Sequence, residues 1–320
     1  MKKYDVSALI CTYNPDLDKL LMTVKSFLLQ EKIKIQIVIT DDGSEDDYFM
    51  KIEEIFKKEN FTDYKFVKNK KNNGTVLNIC SGLKVCDGEY IKVLSPGDYI
   101  YSENSLYNWL VFMKSGNYVM SGSDYICYGV DENKEEHTLV QKAHPQLTNL
   151  EGKRLKYNYL LNNDIFLGAA ILVKKDALCK YIELIKGKVK YAEDNYLRIM
   201  VYCNEKVSFY PCTTIMYEVG TGVSTSGKEK WQKLLQADWE MTDSIIENID
   251  ILDKKFKYDF SKIAKLSKDT GKVKLFQKYI RYISIKGLIL TKMRIKIKPR
   301  FTTNCLPVEW LKKIKQKSYN

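Results

Sequence analysis

Residues 35–44, IQIVITDDGS, constrain the fold more than any other stretch of this chain. A short run of Ile and Val that stops at a turn signal predicts a strand buried on both faces. Two adjacent carboxylates, Asp41 and Asp42, stand at its carboxyl end before Gly43-Ser44. The preceding residues supply its neighbour. Residues 5–11, DVSALIC, form a first apolar run that breaks at Thr12-Tyr13-Asn14-Pro15, a turn with Pro placed to open a helix. Leu17, Leu20, Leu21, Val24 and Phe27 or Leu28 then recur at helical spacing up to Gln30. Strand, turn, helix and strand make a βαβ unit, whose right-handed crossover leaves both strands parallel with their carboxyl ends at one edge. Thr12, Tyr13 and Asn14 are therefore expected beside Asp41 and Asp42. Ligands of open α/β sheets bind at that edge, so the two acids are either turn formers or contacts to a ligand's donors.

The alternation continues. A charged helical stretch is predicted over 47–59, a strand over 64–67, a polar turn KNKKNNGT over 68–75, a helix over 76–85 and a buried strand over 89–94 that ends in Ser95-Pro96-Gly97-Asp98. Leu106, Trp109, Leu110 and Met113 restore the helical period. Four strands alternating with helices predict a doubly wound sheet. Beyond 116 the pattern loosens: 118–128 is strand-like, and 131–163 reads as polar and irregular and carries both histidines, His137 and His144, to which no role is assigned. The apolar run 166–173 is interrupted by Gly168-Ala169-Ala170, small residues that allow close approach to the backbone. Glu193 and Asp194 precede a helix over 195–202, a strand is expected over 207–216, and the small-residue loop GTGVST occupies 220–225. A boundary near 226 divides the chain into 1–225, with halves 1–115 and 116–225, and a helical extension 226–320.

Charge separates the two parts. From 270 to 320 fourteen Lys and Arg face one acid, Glu309, a balance of +13, which leaves 38 bases and 39 acids, −1, on the rest. A neutral body with a basic tail argues against nucleic acid as a partner and points to an anionic surface touched by one end. In that tail Leu275, Phe276, Tyr279, Ile280, Ile283, Leu288, Ile289 and Leu290 alternate with Lys278, Arg281, Lys286, Lys292 and Arg294, and Trp310-Leu311-Lys312-Lys313-Ile314 repeats the mixture. Such a segment either lies in a membrane interface or packs as a solvated helical face on the body. Eight singly spaced cysteines without a Cys-x-x-Cys pair, and no leading signal peptide, are expected of a reducing, cytoplasmic compartment.

Taken in order, TYN after the first strand, DDGS after the next, NNGTVLN at 72–78, GEY before a strand that ends near an acid, ED opening a late helix and GTGVST beyond resemble the family 2 glycosyltransferases of the GT-A fold. The resemblance spans about residues 5–225. It implies a Rossmann-like, mixed, mostly parallel sheet flanked by helices, and an inverting hexosyltransferase that takes a sugar from a UDP- or dTDP-type donor to a saccharide or lipid-linked acceptor. Synthesis of a bacterial surface polysaccharide, at the inner face of the membrane, is the implied setting.

Each implied role has a physical counterpart. A carboxylate accepts the imino N–H of a pyrimidine while an aromatic ring stacks on the base, which suits Asp42, with Asp41 beside it, and Tyr13. The plain alternative has Asp41 capping its turn and Tyr13 packed in the core. Thr12, Asn14, Asn73, Gly74, Asn78 and Ser95 complete the implied donor site, with Thr221 and Ser224 placed to wrap the diphosphate. The departing diphosphate needs charge neutralisation, commonly by Mn2+ or Mg2+. Asp98 matches the family's metal carboxylate, but Ser95, Pro96 and Gly97 stand where earlier acids are usual, and Leu77 stands where related sequences often carry Arg. Inverting transfer needs one base, and the resemblance places Asp194 there with Glu193 orienting it or contacting the acceptor. The everyday alternative is that both acids complement a helix dipole. The lost acids at 95–97 also fit a catalytically inactive relative that binds nucleotide sugar.

Overall fold

In the computed structural model, residues 3–130, 136–142, 152–162, 166–220, 222, 228–269 and 306–315 are described. The predicted βαβ unit is present: β1 (Tyr4–Thr12), α1 (Leu17–Leu28) and β2 (Ile35–Asp41) follow one another, with Thr12 the register partner of Asp41. All seven residues of β2 are buried, as an apolar run between two neighbouring strands requires. Asp16 caps α1 by accepting the Lys19 N–H at 3.2 Å. Next come α2 (Phe49–Lys58), β3 (Tyr64–Lys68), α3 (Thr75–Leu83), β4 (Gly88–Leu94), the short β5 (Tyr99–Ile100) and α4 (Ser105–Ser115).

The second half is more regular than its sequence suggests. It holds β6 (Met120–Val130), β7 (Glu136–Lys142), α5 (Gly152–Asn162), a 3-10 turn at Gly168–Ala170, β8 (Ile171–Lys174), α6 (Lys175–Ile185), α7 (Asn195–Tyr202) and β9 (Val207–Glu218). Both β7 and α5 fall within 131–163, the stretch read as irregular. Their sequences are polar, and among the described residues β7 pairs with β6 alone, off the main path of the sheet. His137 lies in β7, while His144 lies outside the described residues.

The described strands form a nine-stranded sheet in the order β3-β2-β1-β4-β8-β6-β9-β5, with β7 added beside β6. β3, β2, β1 and β4 are parallel, β8 is antiparallel to both β4 and β6, and β6 is parallel to β9. The reversed strand positions the site. Because β8 runs backwards between β4 and β6, its start and the 3-10 turn before it lie at the edge where the parallel strands end.

Beyond the sheet, α8 (Glu229–Asn248) and α9 (Lys254–Asp269) contribute Ile245, Ile246, Phe256 and Phe260 to the hydrophobic cluster that also holds Leu178, Ile182 and Tyr202 of α6 and α7. Near the end of the chain, α10 (Val308–Lys315) buries Trp310, Leu311 and Ile314 against Tyr99, Tyr128 and Met216. Trp310 Nε1 donates to the Ile100 carbonyl at 2.7 Å. The apolar face of 310–314 is thus spent on the body of the protein. The tail residues Leu275, Phe276, Lys278, Tyr279, Ile280, Arg281, Ile283, Lys286, Leu288, Ile289, Leu290, Lys292 and Arg294 lie outside the described residues. No helix among the described residues is long and apolar enough to cross a membrane.

Candidate active site

Where β1 and β2 end, the predicted donor residues meet. Asp41 is fully buried; its Oδ2 accepts the Ser44 N–H at 3.1 Å and its Oδ1 accepts the Ser44 hydroxyl. Thr12 Oγ1 donates to the Thr40 carbonyl at 3.2 Å and also bonds the Tyr48 hydroxyl. Asp41 therefore caps the DDGS turn. Asn14, at φ 42°, donates its N–H to Ser44 Oγ at 2.7 Å and accepts the Glu45 N–H at 3.1 Å, which locks the two strand-end turns together.

Asp42 is committed to the next loop. Its Oδ1 accepts from Asn69 Nδ2 at 3.1 Å and the Asn73 N–H at 3.0 Å, and its Oδ2 accepts the Asn73 and Gly74 N–H groups at 3.1 and 2.8 Å. Three donors, with the Asn73 N–H shared between both oxygens, staple the turn before α3 to the end of β2 and leave part of the carboxylate's accepting capacity open. Asn78 does the same from inside α3: its amide donates to the Thr12 and Thr40 carbonyls at 3.3 and 3.1 Å, and its Oδ1 accepts from Thr40 Oγ1 at 2.7 Å. Tyr13, 51% exposed, is not core and presents an open ring at this edge.

Further along the edge a cleft of about 260 Å³ is lined by Ser95, Asp98, Gly168, Glu193, Asp194 and Glu218, with Leu235 and Trp239 of α8 on one wall. Asp98 and Asp194, from opposite halves of the chain, thus face one space. Thr12, Tyr13, Asn14, Asp41, Asp42, Asn73, Gly74 and Asn78 lie outside this lining, which reaches α3 through Thr75. Thr221 and Ser224 are outside the described residues, while Gly222 between them lines the cleft.

The Ser95–Asp98 turn is held from several sides. Asp98 N–H donates to the Ser95 carbonyl at 3.1 Å, Thr23 Oγ1 donates to the Asp98 carbonyl at 3.0 Å, and the Tyr128 hydroxyl donates to the Gly97 carbonyl. Asp98 Oδ1 accepts the Glu218 N–H at 3.1 Å, and burial pushes its carboxyl up to about 7. Asp194 is the N-cap residue of α7, yet its side chain makes no capping hydrogen bond. It packs against Gly168 instead: a Cβ built on Gly168 would sit 3.4 Å from Asp194 Cβ, an ordinary contact. Burial, and then the charge of Asp194, holds the Glu193 carboxyl well above the usual carboxylate range.

Three supports were not foreseen from the sequence. Lys92, fully buried in β4, donates its ammonium to the carbonyls of Ala169, Ile171 and Val93, and so fixes the 3-10 turn beside Asp194; burial pulls it down to about 7. A lysine in the middle of an apolar run was the available signal. Glu218, at the end of β9, lines the cleft and accepts from Lys19 Nζ at 2.5 Å. Asp238, on the buried face of α8, accepts the N–H groups of Lys190, Tyr191 and Ala192 at 3.0, 2.7 and 3.0 Å. Its signal was a helical spacing, 238-242-245-246, in which two of four inward positions are polar.

Among the described residues no group of three or more His, Cys, Asp or Glu stands ready for a metal ion. Asp98, Ser95 and Glu218 are nevertheless oxygen donors on one wall, the ligand type Mg2+ and Mn2+ prefer. With Glu218 already paired to Lys19, that set fits a cation shared with a ligand's phosphate oxygens and does not form an all-protein cage.

A mixed α/β sheet whose strand-end loops shape a cleft of carboxylates is the GT-A architecture. A profile described as Glycosyl transferase family 2 matches residues 7–181, more than half of the chain, and the chain belongs to that family. An uncharacterized glycosyltransferase of Rickettsia conorii is 32% identical over 120 residues, 38% of this chain and 19% of that protein. Another from Haemophilus influenzae is 28% identical over 133 residues, 42% of this chain and 52% of that one. The matched part therefore spans about a fifth to a half of these relatives. Among solved structures, S. aureus TarS 1-349 in complex with UDP shares the fold at a TM-score of 0.59 and 16% identity, covering 89% of this chain and 77% of that one. The mannosyltransferase PcManGT of Pyrobaculum calidifontis, in complex with GDP-Man and Mn2+, does so at 0.57 and 12%, covering 92% and 81%.

Proposed function

We propose that this protein is an inverting hexosyltransferase that moves a sugar from a UDP- or dTDP-type donor to a saccharide or lipid-linked saccharide acceptor, in assembly of a bacterial surface polysaccharide. The observation that carries this reading is the shared cleft, in which Asp98 and the Glu193-Asp194 pair face the same space from opposite halves of the chain. Complexes of the TarS and PcManGT structures with UDP and with GDP-Man and Mn2+ support a nucleotide-sugar donor for this architecture.

In the proposed mechanism Asp194 accepts the proton of the attacking acceptor hydroxyl, a step worth roughly 10²–10⁴ in rate for a well-placed base. Glu193, whose carboxyl burial and the charge of Asp194 hold above the usual range, orients Asp194 or contacts the acceptor. Asp98 and Ser95, with Glu218 and Lys19 behind them, would hold a divalent cation against the diphosphate end, and Tyr13 stacks on the base. A divalent cation bound there would neutralise the phosphate charge that builds as the donor bond breaks. The 69–74 turn that Asp42 orders supplies the donor-side wall. The basic part of the tail that precedes α10, 270–300, is assigned to contact with an anionic membrane surface near the acceptor.

The test is product formation from UDP-glucose, UDP-galactose, UDP-N-acetylglucosamine and dTDP-glucose, with and without Mn2+, for the wild type, Asp194→Asn and Asp98→Ala. Loss of at least about 10²-fold in the first variant, and a comparable loss in the second, is expected. Near wild-type rates in both variants would end the proposal; nucleotide binding without turnover of any donor would instead favour an inactive relative.

A further inference from the structure

The segment from Lys190 to Asn195 is gripped twice from one helix, once by its backbone and once by a side chain. Asp238 takes the three consecutive N–H groups of residues 190–192, and Thr242, one turn later on α8, accepts from Asn195 Nδ2 at 2.9 Å while donating its own hydroxyl to the Asp238 carbonyl at 2.8 Å. All three side chains are nearly inaccessible: Asp238 is 7% exposed, Thr242 0% and Asn195 3%. Glu193 and Asp194 are the two residues left between the grips, and both line the cleft. On the opposite side the Lys190 carbonyl accepts the Val76 N–H at 3.1 Å, which ties the same segment to the start of α3.

We infer that Asp238 is a positioning residue for the Glu193-Asp194 pair, with Thr242 as its second point of hold, so that α8 belongs to the working active site although it lies outside the family match at 7–181. The inference rests on the reading of Asp194 as the base. A carboxylate suits the task because it accepts only, so both oxygens receive backbone N–H groups and neither competes by donating. An Asn there keeps one acceptor and turns an N–H2 toward N–H groups, which releases part of the segment. Displacement of a reacting group by about 1 Å costs on the order of 10²-fold in rate, without contact between the altered residue and the substrate. Asp238 also places its negative charge near Glu193, so its removal changes how readily Glu193 gives up its proton.

The variants Asp238→Asn and Thr242→Val are compared with the wild type, using UDP alone as the binding probe and release of UDP or dTDP from the four nucleotide sugars above as the turnover assay. Asp238→Asn is expected to lower kcat by about 10- to 100-fold while UDP affinity and donor KM stay within about twofold and the pH limb of kcat that reports the base moves. Thr242→Val is expected to show a smaller loss of the same kind and serves if Asp238→Asn does not fold. Titration of the Glu193 carboxyl by carbon-13 NMR, assigned with Glu193→Gln, reads the same effect without turnover and is expected to shift toward lower pH in Asp238→Asn. A limb and a Glu193 titration that stay in place overturn the inference, even if stability falls. If Asp194→Asn is inactive and Asp238→Asn transfers normally, only this inference fails; if Asp194→Asn transfers normally, the reading beneath it fails as well.

Discussion

Gly74→Ala tests the junction on which the two halves of the site depend. Gly74 sits at φ 93° and ψ 164° just before α3, a conformation essentially confined to glycine and costing other residues about 1–3 kcal/mol. A Cβ there would also lie 2.7 Å from the Lys190 carbonyl oxygen and 2.4 Å from Lys190 Cγ. Neither side can yield cheaply. Rotating Gly74 back withdraws its N–H from Asp42, a charged hydrogen bond of 2.8 Å, and moving Lys190 withdraws its N–H from Asp238 at 3.0 Å. Loss of one such bond is worth about 1.5–3 kcal/mol. The expected destabilisation is therefore about 3–6 kcal/mol, a large part of the 5–15 kcal/mol that holds a domain together. Gly187→Ala is the internal control. Its φ of 72° carries the backbone cost, about 1–2 kcal/mol, but a Cβ there meets nothing within 4 Å. Urea unfolding of the two variants and the wild type gives the difference directly. A Gly74→Ala cost no larger than that of Gly187→Ala would refute the claim that this turn is wedged between two anchored segments.

Other consequences are measurable. Glu193 keeps its proton to higher pH in the folded chain than in the unfolded one, so the folded state binds more protons in that window and stability falls as pH rises through it. Glu193→Gln removes that fall: its stability relative to the wild type should rise between about pH 5 and pH 8, and parallel pH–stability curves would contradict the assignment. Trp310→Phe, which loses the bond to Ile100 and part of the buried ring, should weaken α10 docking by about 1–3 kcal/mol. Trp310→Ala should release the helix, with a cost of up to about 3–5 kcal/mol, seen as faster amide exchange in α10 and β5; unchanged exchange would place Trp310 outside the packing.

Much of the frame is legible in local pattern. The strands that became β1, β2 and β4 are apolar runs ended by turn residues, and the crossover rule alone puts Thr12 beside Asp41. The start of α7 after Glu193 and Asp194 follows from the same local reasoning. Polar elements escaped because periodicity reports only burial on one face: α5 buries Leu155 to Leu160 all round, with Lys156 and Asn158 among them, so no apolar period marks it. Lys92, Glu218 and Asp238 escaped for the opposite reason, since each is a buried polar group whose partners are distant in the chain.

The sequence by itself determined which carboxylates stand at strand and helix ends, because turn chemistry and hydrophobic period are properties of neighbouring residues. Only the tertiary structure decided how each acid is used. Asp41 and Asp42 have equal standing in the chain, yet the fold gives one to Ser44 and the other to the 69–74 turn. Asp98 and Asp194 are nearly a hundred residues apart, and it takes the reversed strand β8 to bring the edge that carries one against the loop that carries the other. The physical reason is range: a turn is settled by a few adjacent dihedrals, whereas the partners of a buried charge are chosen by whichever distant donors packing delivers to it.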